Sequence, residues 1–225
     1  DSFTKLKQIT IEGDEHFIAG IYKGVVDKLD EISNNLVVKN MEVLKNGKWQ
    51  RVEQKGYSAI GLAEGNEIYY KNNNIDPDFV NKRLRGNQAY IAVEKDYGGE
   101  EKAILVSFKE KDDTELNELN DNILLNTMGS EGELVLKNGK NSIAYNKGTI
   151  IVKDKRLVTG SSISPEDTAH IIANREFDNG KYYANVVEIT PGNDQNSIVI
   201  YRGRIANINE NKDFTISAFS QLNGV

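Results

Sequence analysis

The pentapeptide LKNGK stands at residues 44–48 of this 225-residue chain and returns unchanged at residues 136–140. An Asn-Gly pair favours a two-residue type I′ turn, because both central residues of that turn need a positive φ, which Gly adopts freely and Asn at small cost. Apolar residues flank both copies, as in paired antiparallel strands. We therefore predict that Asn46-Gly47 and Asn138-Gly139 close two β-hairpins and fix their register, the alternative being two unrelated turns in an Asn-rich chain.

Further matches extend the recurrence on the C-terminal side of each turn, always in the same order. Residues 41–109 and 133–190 are therefore predicted to be two copies of one β module, since internal repeats define the architecture of a chain. The offset falls in two steps, as deletions in loops would produce. The matches are KG at 55–56 with 147–148 (offset 92), IDPD at 75–78 with ISPE at 163–166 (offset 88), and Ala92, Gly99 and Ala103 with Ala173, Gly180 and Ala184 (offset 81).

A second, longer repeat relates the two ends of the chain. IYKGVV at residues 21–26 resembles IYRGRI at 200–205 with an offset of 179, and residues 36–44 resemble 214–222 with one residue gained. The chain is accordingly interpreted as a window of a longer array. Residues 1–40 are expected to be the end of a preceding module and a connecting hairpin, and residues 191–225 a connecting hairpin and the start of a further module.

Short strand-like segments at intervals of roughly 8–12 residues, separated by turn residues, predict a mainly β fold. We expect two related small antiparallel barrels or sandwiches in tandem, each with one short helix, joined by long β-hairpin connectors. Trp49 is expected in the core of the first.

In residues 76–78 (DPD), Asp76 can cap a helix whose first position is Pro77, and Pro165 is expected to start the second module's helix.

Residues 110–132 interrupt the β pattern and are predicted to be a linker with a short helix. Thr114 can cap it, and the apolar residues Leu116, Leu119 and Ile123 recur at a spacing of three to four, as on one face of a helix.

The composition bears on several classes of function. The net charge of −6 opposes nucleic-acid binding, and the absence of Cys excludes disulfides and thiolate metal sites. The two histidines stand in no recognisable catalytic spacing, and no phosphate-binding glycine loop or nucleophile elbow is present. No apolar run approaches the ~18 residues of a membrane span. The sequence therefore predicts a non-enzymatic protein without cofactor, nucleic-acid partner or membrane insertion.

Two features could bind a ligand. In each adjacent pair, Tyr69-Tyr70 and Tyr182-Tyr183, neighbours on a strand face opposite sides, so one tyrosine would face solvent and could stack on a sugar ring; the alternative is a half-buried strand position. Asp76 and Asp78 follow three asparagines and could ligate Ca²⁺; the alternative is the helix cap.

The opening tripeptides YKG (22–24) and YRG (201–203), and the closing DNGK (178–181) followed by ANVV (184–187), resemble repeat regions of secreted clostridial, Gram-positive cell-surface proteins of the S-layer-associated and stalk types. This resemblance implies an extracellular, cell-wall-linked protein with a structural or spacer role. Its partners would be neighbouring repeats, other surface proteins or a cell-wall polymer. An adhesin or glycan-binding module, with Ca²⁺ in the acidic loop, is the alternative function.

Overall fold

The computed structural model describes residues 17–52, 56–95, 99–126, 131–137, 142–165, 167–176, 180–192, 201–208 and 214–221. The predicted strand of a preceding module within residues 1–16 and the turn residues Asn138 and Gly139 lie outside these ranges.

The first barrel is a seven-stranded sheet in the order β3-β2-β1-β6-β7-β4-β5, which an additional β2–β4 pairing closes into a ring. Its strands β4 and β7 run parallel, and its other adjacent pairs are antiparallel. The strands are β1 (Ile18–Asp30), β2 (Asn35–Lys45), β3 (Lys48–Arg51), β4 (Tyr57–Tyr70), β5 (Asn73–Asn74), β6 (Gln88–Lys95) and β7 (Glu101–Phe108).

The second barrel repeats this arrangement in the order β10-β9-β8-β13-β14-β11-β12, closed by a β10–β14 pairing. Together, β10 and β11 take the place of the long strand β4. The strands are β8 (Thr114–Asn126), β9 (Gly132–Leu136), β10 (Ser142–Tyr145), β11 (Ile150–Lys153), β12 (Arg156–Leu157), β13 (Thr168–Arg175) and β14 (Tyr182–Thr190).

Each ring contains five barrel strands in the order 1-2-3-5-4-1. A short helical segment lies between the third and fourth strands, and the third and fifth are parallel. This is the topology of an OB-type barrel. The prediction of a mainly β protein with two related barrels and short helices is therefore confirmed, but each sheet is mixed rather than antiparallel throughout.

The predicted module boundaries need correction, because the long hairpin β1–β2 is not a connector. It supplies the first two strands of the first barrel, and β8–β9 does the same in the second. The helix predicted in residues 110–132 is wrong, since that region contains strand β8. Leu116 pairs with Ala173 and Leu119 with Ile171, so β8 has one extra residue there. Because of this bulge, apolar residues that recur every second position in a regular strand are three positions apart here, a spacing that resembles the period of a helix.

The two LKNGK copies also prove to be structurally unequal. The first joins β2 to the accessory strand β3, whereas the second lies between the barrel strands β9 and β10. Val26 pairs with Val38 in the first barrel as Ile123 pairs with Leu136 in the second. Leu136 is therefore the counterpart of Val38, not of Leu44. The barrels are duplicated, but Leu44 and Leu136, the first residues of the two LKNGK copies, do not occupy equivalent positions in them.

The end-to-end repeat is confirmed by strand register. Hairpin β1–β2 has register shifts at 23/25 and 26/28, and the hairpin β15 (Tyr201–Ile208) with β16 (Phe214–Gln221) has them at 202/204 and 205/207. Both shifts are displaced by 179 residues, the offset found in the sequence. Residues Pro191–Val225 form a compact unit separate from Asp1–Thr190.

The helix predicted from Asp76 and Pro77 is confirmed in position. Helix α1 (Pro77–Phe79) begins at Pro77, and the Asp76 carboxylate accepts a hydrogen bond of 2.7 Å from the Phe79 amide. A π-helical turn (Val80–Leu84) follows and buries Val80 and Leu84.

The equivalent prediction for Pro165 is wrong. Pro165 lies in a turn, and the second barrel's helical segment is a 3₁₀ turn at Gly160–Ser162. The buried Asp167 carboxylate accepts from the Ser164 amide at 2.8 Å and from Lys153 Nζ at 2.9 Å, which fixes the turn. Residues 158–167 connect β12 to β13, three fewer than residues 75–87 between β5 and β6, and this shorter connection contains the 3₁₀ turn in place of the longer helix.

Two glycine substitutions test the turn at Asn46-Gly47, which closes the hairpin β2–β3. Asn46 and Gly47 have φ of 51° and 73°, as a type I′ turn requires. A Cβ on Gly47 would lie 3.0 Å from His170 Cε1, whereas a Cβ on Gly65, with φ of 74°, would meet nothing within 4 Å. We predict that Gly65→Ala lowers the free energy of unfolding by about 1 kcal/mol through backbone strain, and Gly47→Ala by roughly 2–3 kcal/mol. Urea unfolding measures both, and equal losses would contradict the contact with His170.

Candidate functional site at the junction of the barrels

A third apolar cluster joins the two barrels, in addition to the core inside each one. Strand β6 shows how it forms. Ala89, Ile91 and Val93 face the core of the first barrel, while Tyr90 and Ala92 belong to the junction. All five are buried. The sequence AYIAV is continuous rather than alternating because both faces of this strand are covered.

The two barrels contribute equivalent faces to this junction. Ala92 pairs with Leu105 beside a bulge in the first barrel, and Ile172 pairs with Val186 beside the matching bulge in the second. All four residues are in the junction cluster. Contact through the same patch on both sides is the arrangement of a two-fold dimer, here within one chain.

The short hairpins that follow β4 and β11 make reciprocal contacts across the junction. From the second barrel, the Lys155 carbonyl accepts from the Ile18 amide at 2.8 Å. From the first, the Asn72 side chain donates to Glu131 at 2.8 Å and accepts from the Lys147 amide at 3.2 Å. Both hairpins have turn residues with positive φ but no glycine, namely Lys71-Asn72 and Asp154-Lys155, so turn chemistry alone did not reveal them.

A polar group centred on Glu115, which we call the clasp, fastens the second barrel's first strand to the first barrel. The Glu115 carboxylate accepts hydrogen bonds from Lys23 Nζ at 2.9 Å, Gln88 Nε2 at 3.0 Å and the Tyr90 hydroxyl. Burial raises the pKa of Glu115, but the hydrogen bonds from Tyr90 and Lys23 outweigh it, and the net pKa lies below the ordinary value. Glu115 is therefore an anion at neutral pH.

A second set of hydrogen bonds lies beside the clasp and reaches Asp113, in the segment that links the two barrels. The Tyr183 hydroxyl donates to Asp113 at 2.6 Å and accepts from Asn174 at 3.2 Å. Burial, followed by the effects of Asp113, raises the pKa of Tyr183, and burial beside Glu115 raises that of Tyr90 well above its ordinary value. Both phenols remain protonated hydrogen-bond donors at neutral pH.

Trp49 does not lie in the first core, where we expected it. The Trp49 ring packs against the junction cluster, and its centroid lies 6.1 Å from the Tyr90 ring centroid. Lys23 Nζ lies 4.6 Å from the centroid of the Trp49 ring. The reason is that Trp49 belongs to β3, an accessory strand outside the closed ring of five.

A cleft of about 570 Å³ opens along the junction and is lined by both barrels. Carboxylates outnumber ammonium groups in its lining, so the cleft is negatively charged and repels anionic ligands. The amide nitrogen of Asn185, which is 3% exposed, has no hydrogen-bond partner among the described residues. The charged lining residues are Glu110, Asp113, Glu131, Glu133, Glu176, Lys71 and Lys181.

Of the two interpretations of the tyrosine pairs, the structure agrees with the covered strand position and not with a solvent-facing tyrosine. Tyr69 is 6% exposed and belongs to the junction cluster, and the other three are half-buried. Tyr70 donates to Glu110 at 2.6 Å, Tyr182 packs on the second core and Tyr183 donates to Asp113. Barrel cores and the junction cover both faces of these strands, so the alternation of one exposed and one buried face does not apply.

The acidic loop is engaged in local structure. Asp76 caps α1, and Asp78 forms an exposed ion pair with Lys82 at 2.6 Å. Across the part of the chain that the structure describes, no group of three or more His, Asp or Glu residues is arranged to hold a metal ion. No helix in that part is long and apolar enough to span a membrane.

Sequence reasoning missed the clasp because its members are distant in the chain, with Lys23 and Glu115 separated by 92 residues. One signal was available. The opening tripeptide keeps a cation at the clasp position, as Lys23 in YKG and as Arg202 in YRG.

Comparisons with known proteins add little to this picture. No family model and no curated protein matches the chain. Among solved structures, the chain is similar to the Drosophila Unr CSD456 structure, with 11% sequence identity over 84% of this chain and 67% of that one, at a TM-score of 0.31. A similarity at this score supports no functional conclusion.

The clasp can be tested by a double-mutant cycle with Lys23→Met and Glu115→Gln. Lys23→Met leaves the partly buried Glu115 carboxylate without its cation, and Glu115→Gln leaves Lys23 with only its longer ion pair to Glu42, at 3.4 Å. We therefore expect losses of roughly 1–3 kcal/mol in unfolding free energy and a coupling of about 1 kcal/mol or more. Denaturant unfolding measures all four proteins. The matched control is the exposed Asp78–Lys82 pair, for which Asp78→Asn and Lys82→Met should show no measurable coupling. Equal coupling in both cycles would contradict a specific role for the clasp.

Proposed function

We propose that this chain is a non-enzymatic spacer segment of a repetitive protein, in which paired OB-type barrels set reach and stiffness. The observation that carries the proposal is the junction. Equivalent faces of the two barrels share an apolar cluster there, and the partly buried ion pair Lys23–Glu115 joins them. A flexible array of independent modules would have no need of such a junction. The third occurrence of the opening hairpin, at β15–β16, supports repetition beyond the pair.

The cellular setting that we propose is the extracellular surface of a Gram-positive cell, linked to the cell wall or an S-layer. The basis is the resemblance of the hairpin motifs to repeats of secreted clostridial surface proteins. Partners would be neighbouring repeats, other surface proteins or a wall polymer. The absence of Cys is compatible with this setting.

A glycan-binding role has less support than the spacer role. It depended on solvent-facing tyrosines and an open acidic loop, and the hydroxyls of Tyr70 and Tyr183 are bound to carboxylates while Asp76 caps a helix.

The stiffness of the pair can be measured directly, because the chain has no native Cys that would interfere with labelling. Ile32 is fully exposed on the first barrel, and Ser142 is exposed at the start of β10 on the second. Spin labels on Ile32→Cys and Ser142→Cys should give one narrow distance distribution by pulsed EPR. The same pair with Glu115→Gln added serves as a control and should broaden it. A broad distribution in the parent would contradict a spacer of fixed reach.

The proposed location has its own test. Brief protease treatment of intact producing cells should release peptides from this chain, while a cytosolic marker protein stays uncleaved. Recovery of these peptides only after cell lysis would overturn the surface assignment without affecting the proposed stiffness.

A further inference from the structure

The chain contains two kinds of barrel that differ at the residues of their junction. The first, here called A-type, supplies the clasp cation Lys23 and the junction residue Leu44. The second, B-type, supplies the clasp anion Glu115.

The A-type residues are missing from the B-type barrel. Lys23 pairs with Tyr90, and the residue at the matching place in the second barrel is Asn120, which pairs with His170. Among the described residues Leu44 has no counterpart there, because the next strand after β9 is the barrel strand β10, whereas β2 is followed by the accessory strand β3.

The B-type anion is likewise missing from A-type sequence. Ile18 pairs with Glu94 as Glu115 pairs with Asn174, so Ile18 holds the position of Glu115. Two A-type barrels therefore present two cations, each already 3.4 Å from Glu42 of its own barrel, and neither supplies the carboxylate that crosses the junction in the clasp.

The third repeat is of A-type. At the established offsets, Ile200 matches Ile21, Arg202 matches Lys23 and Leu222 matches Leu44. Ser197 matches Ile18, so the anion is absent again. The matching register shifts of the two hairpins confirm this alignment.

The junction face of the B-type barrel is already covered. Ile172 and Val186 are 2% and 0% exposed against the first barrel, and Glu115 is bound to Lys23. An interface made from equivalent faces closes on itself, unlike a head-to-tail interface, which leaves a face free for the next copy.

We infer that the repeats pair strictly as A with the B that follows it, so that the A-type repeat beginning near Ile200 takes a subsequent B-type barrel as its partner rather than the barrel at residues 114–190. The array is then a series of closed A·B pairs, with the A-to-A offset of 179 residues as its true period. This inference deepens the proposed spacer role by defining the spacer's rigid unit.

The decisive experiment uses a duplicated chain in which residues 1–199 are followed directly by residues 21–190. Because Ile200 matches Ile21, this junction keeps the repeat register and gives the order A·B·A·B. Lys23→Glu in the second A should lower its thermal midpoint by roughly 3–8 °C. Glu115→Lys in the B that follows should restore the midpoint. Glu115→Lys in the preceding B should instead lower stability further, because it then opposes the first Lys23.

Rescue by the preceding B would overturn the pairing rule, while the spacer proposal would stand. A broad label distance within one pair, together with rescue by the following B, would overturn the spacer proposal and leave the pairing rule intact.

A second arm uses the natural 225-residue chain and does not depend on those variants folding. Arg202→Glu should leave the thermal midpoint of the A·B pair unchanged within 1 °C or so, whereas Lys23→Gln should lower it. Equal decreases for both variants would also overturn the inference.

Discussion

The structure depends on strands that are buried on both faces. Strands β6 and β7 in the first barrel, and β13 and β14 in the second, each send one set of side chains into a barrel core and the other into the junction. A small OB-type barrel has limited interior volume, so covering the outer face of these strands adds apolar burial that one barrel could not provide. The junction is thus part of what stabilises each barrel as well as what joins them.

Burial at the junction also explains its polar residues. A carboxylate beside an apolar cluster is costly unless its oxygens are hydrogen-bonded, and Glu115 has donors from β1 and β6 of the other barrel. Such a group contributes specificity, because only a barrel presenting a cation at position 23 can satisfy it. Apolar faces alone would tolerate A·A and B·B contacts.

Sequence reasoning succeeded where local chemistry decides the outcome. The Asn46-Gly47 turn, the Asp76 cap before Pro77 and the mainly β character follow from backbone preferences that act over a few residues. It failed at β8, where a bulge gave a strand the spacing of a helix, and at the repeat alignment of β6. Ala92 was matched to Ala173, but its structural counterpart is Ile172, and a shift of one residue exchanges the core face of a strand for its outer face.

The sequence by itself determined that this chain is built by duplication and that the opening hairpin returns after 179 residues, because turn residues and strand periods are encoded locally. Only the tertiary structure decided where each barrel begins, that the two LKNGK copies start at non-equivalent strand positions, and that the tyrosine pairs are covered. These outcomes depend on which faces meet, and the contacts concerned, such as Lys23 with Glu115, join residues far apart in the chain. No local pattern specifies such pairs until the strands are assembled into closed sheets.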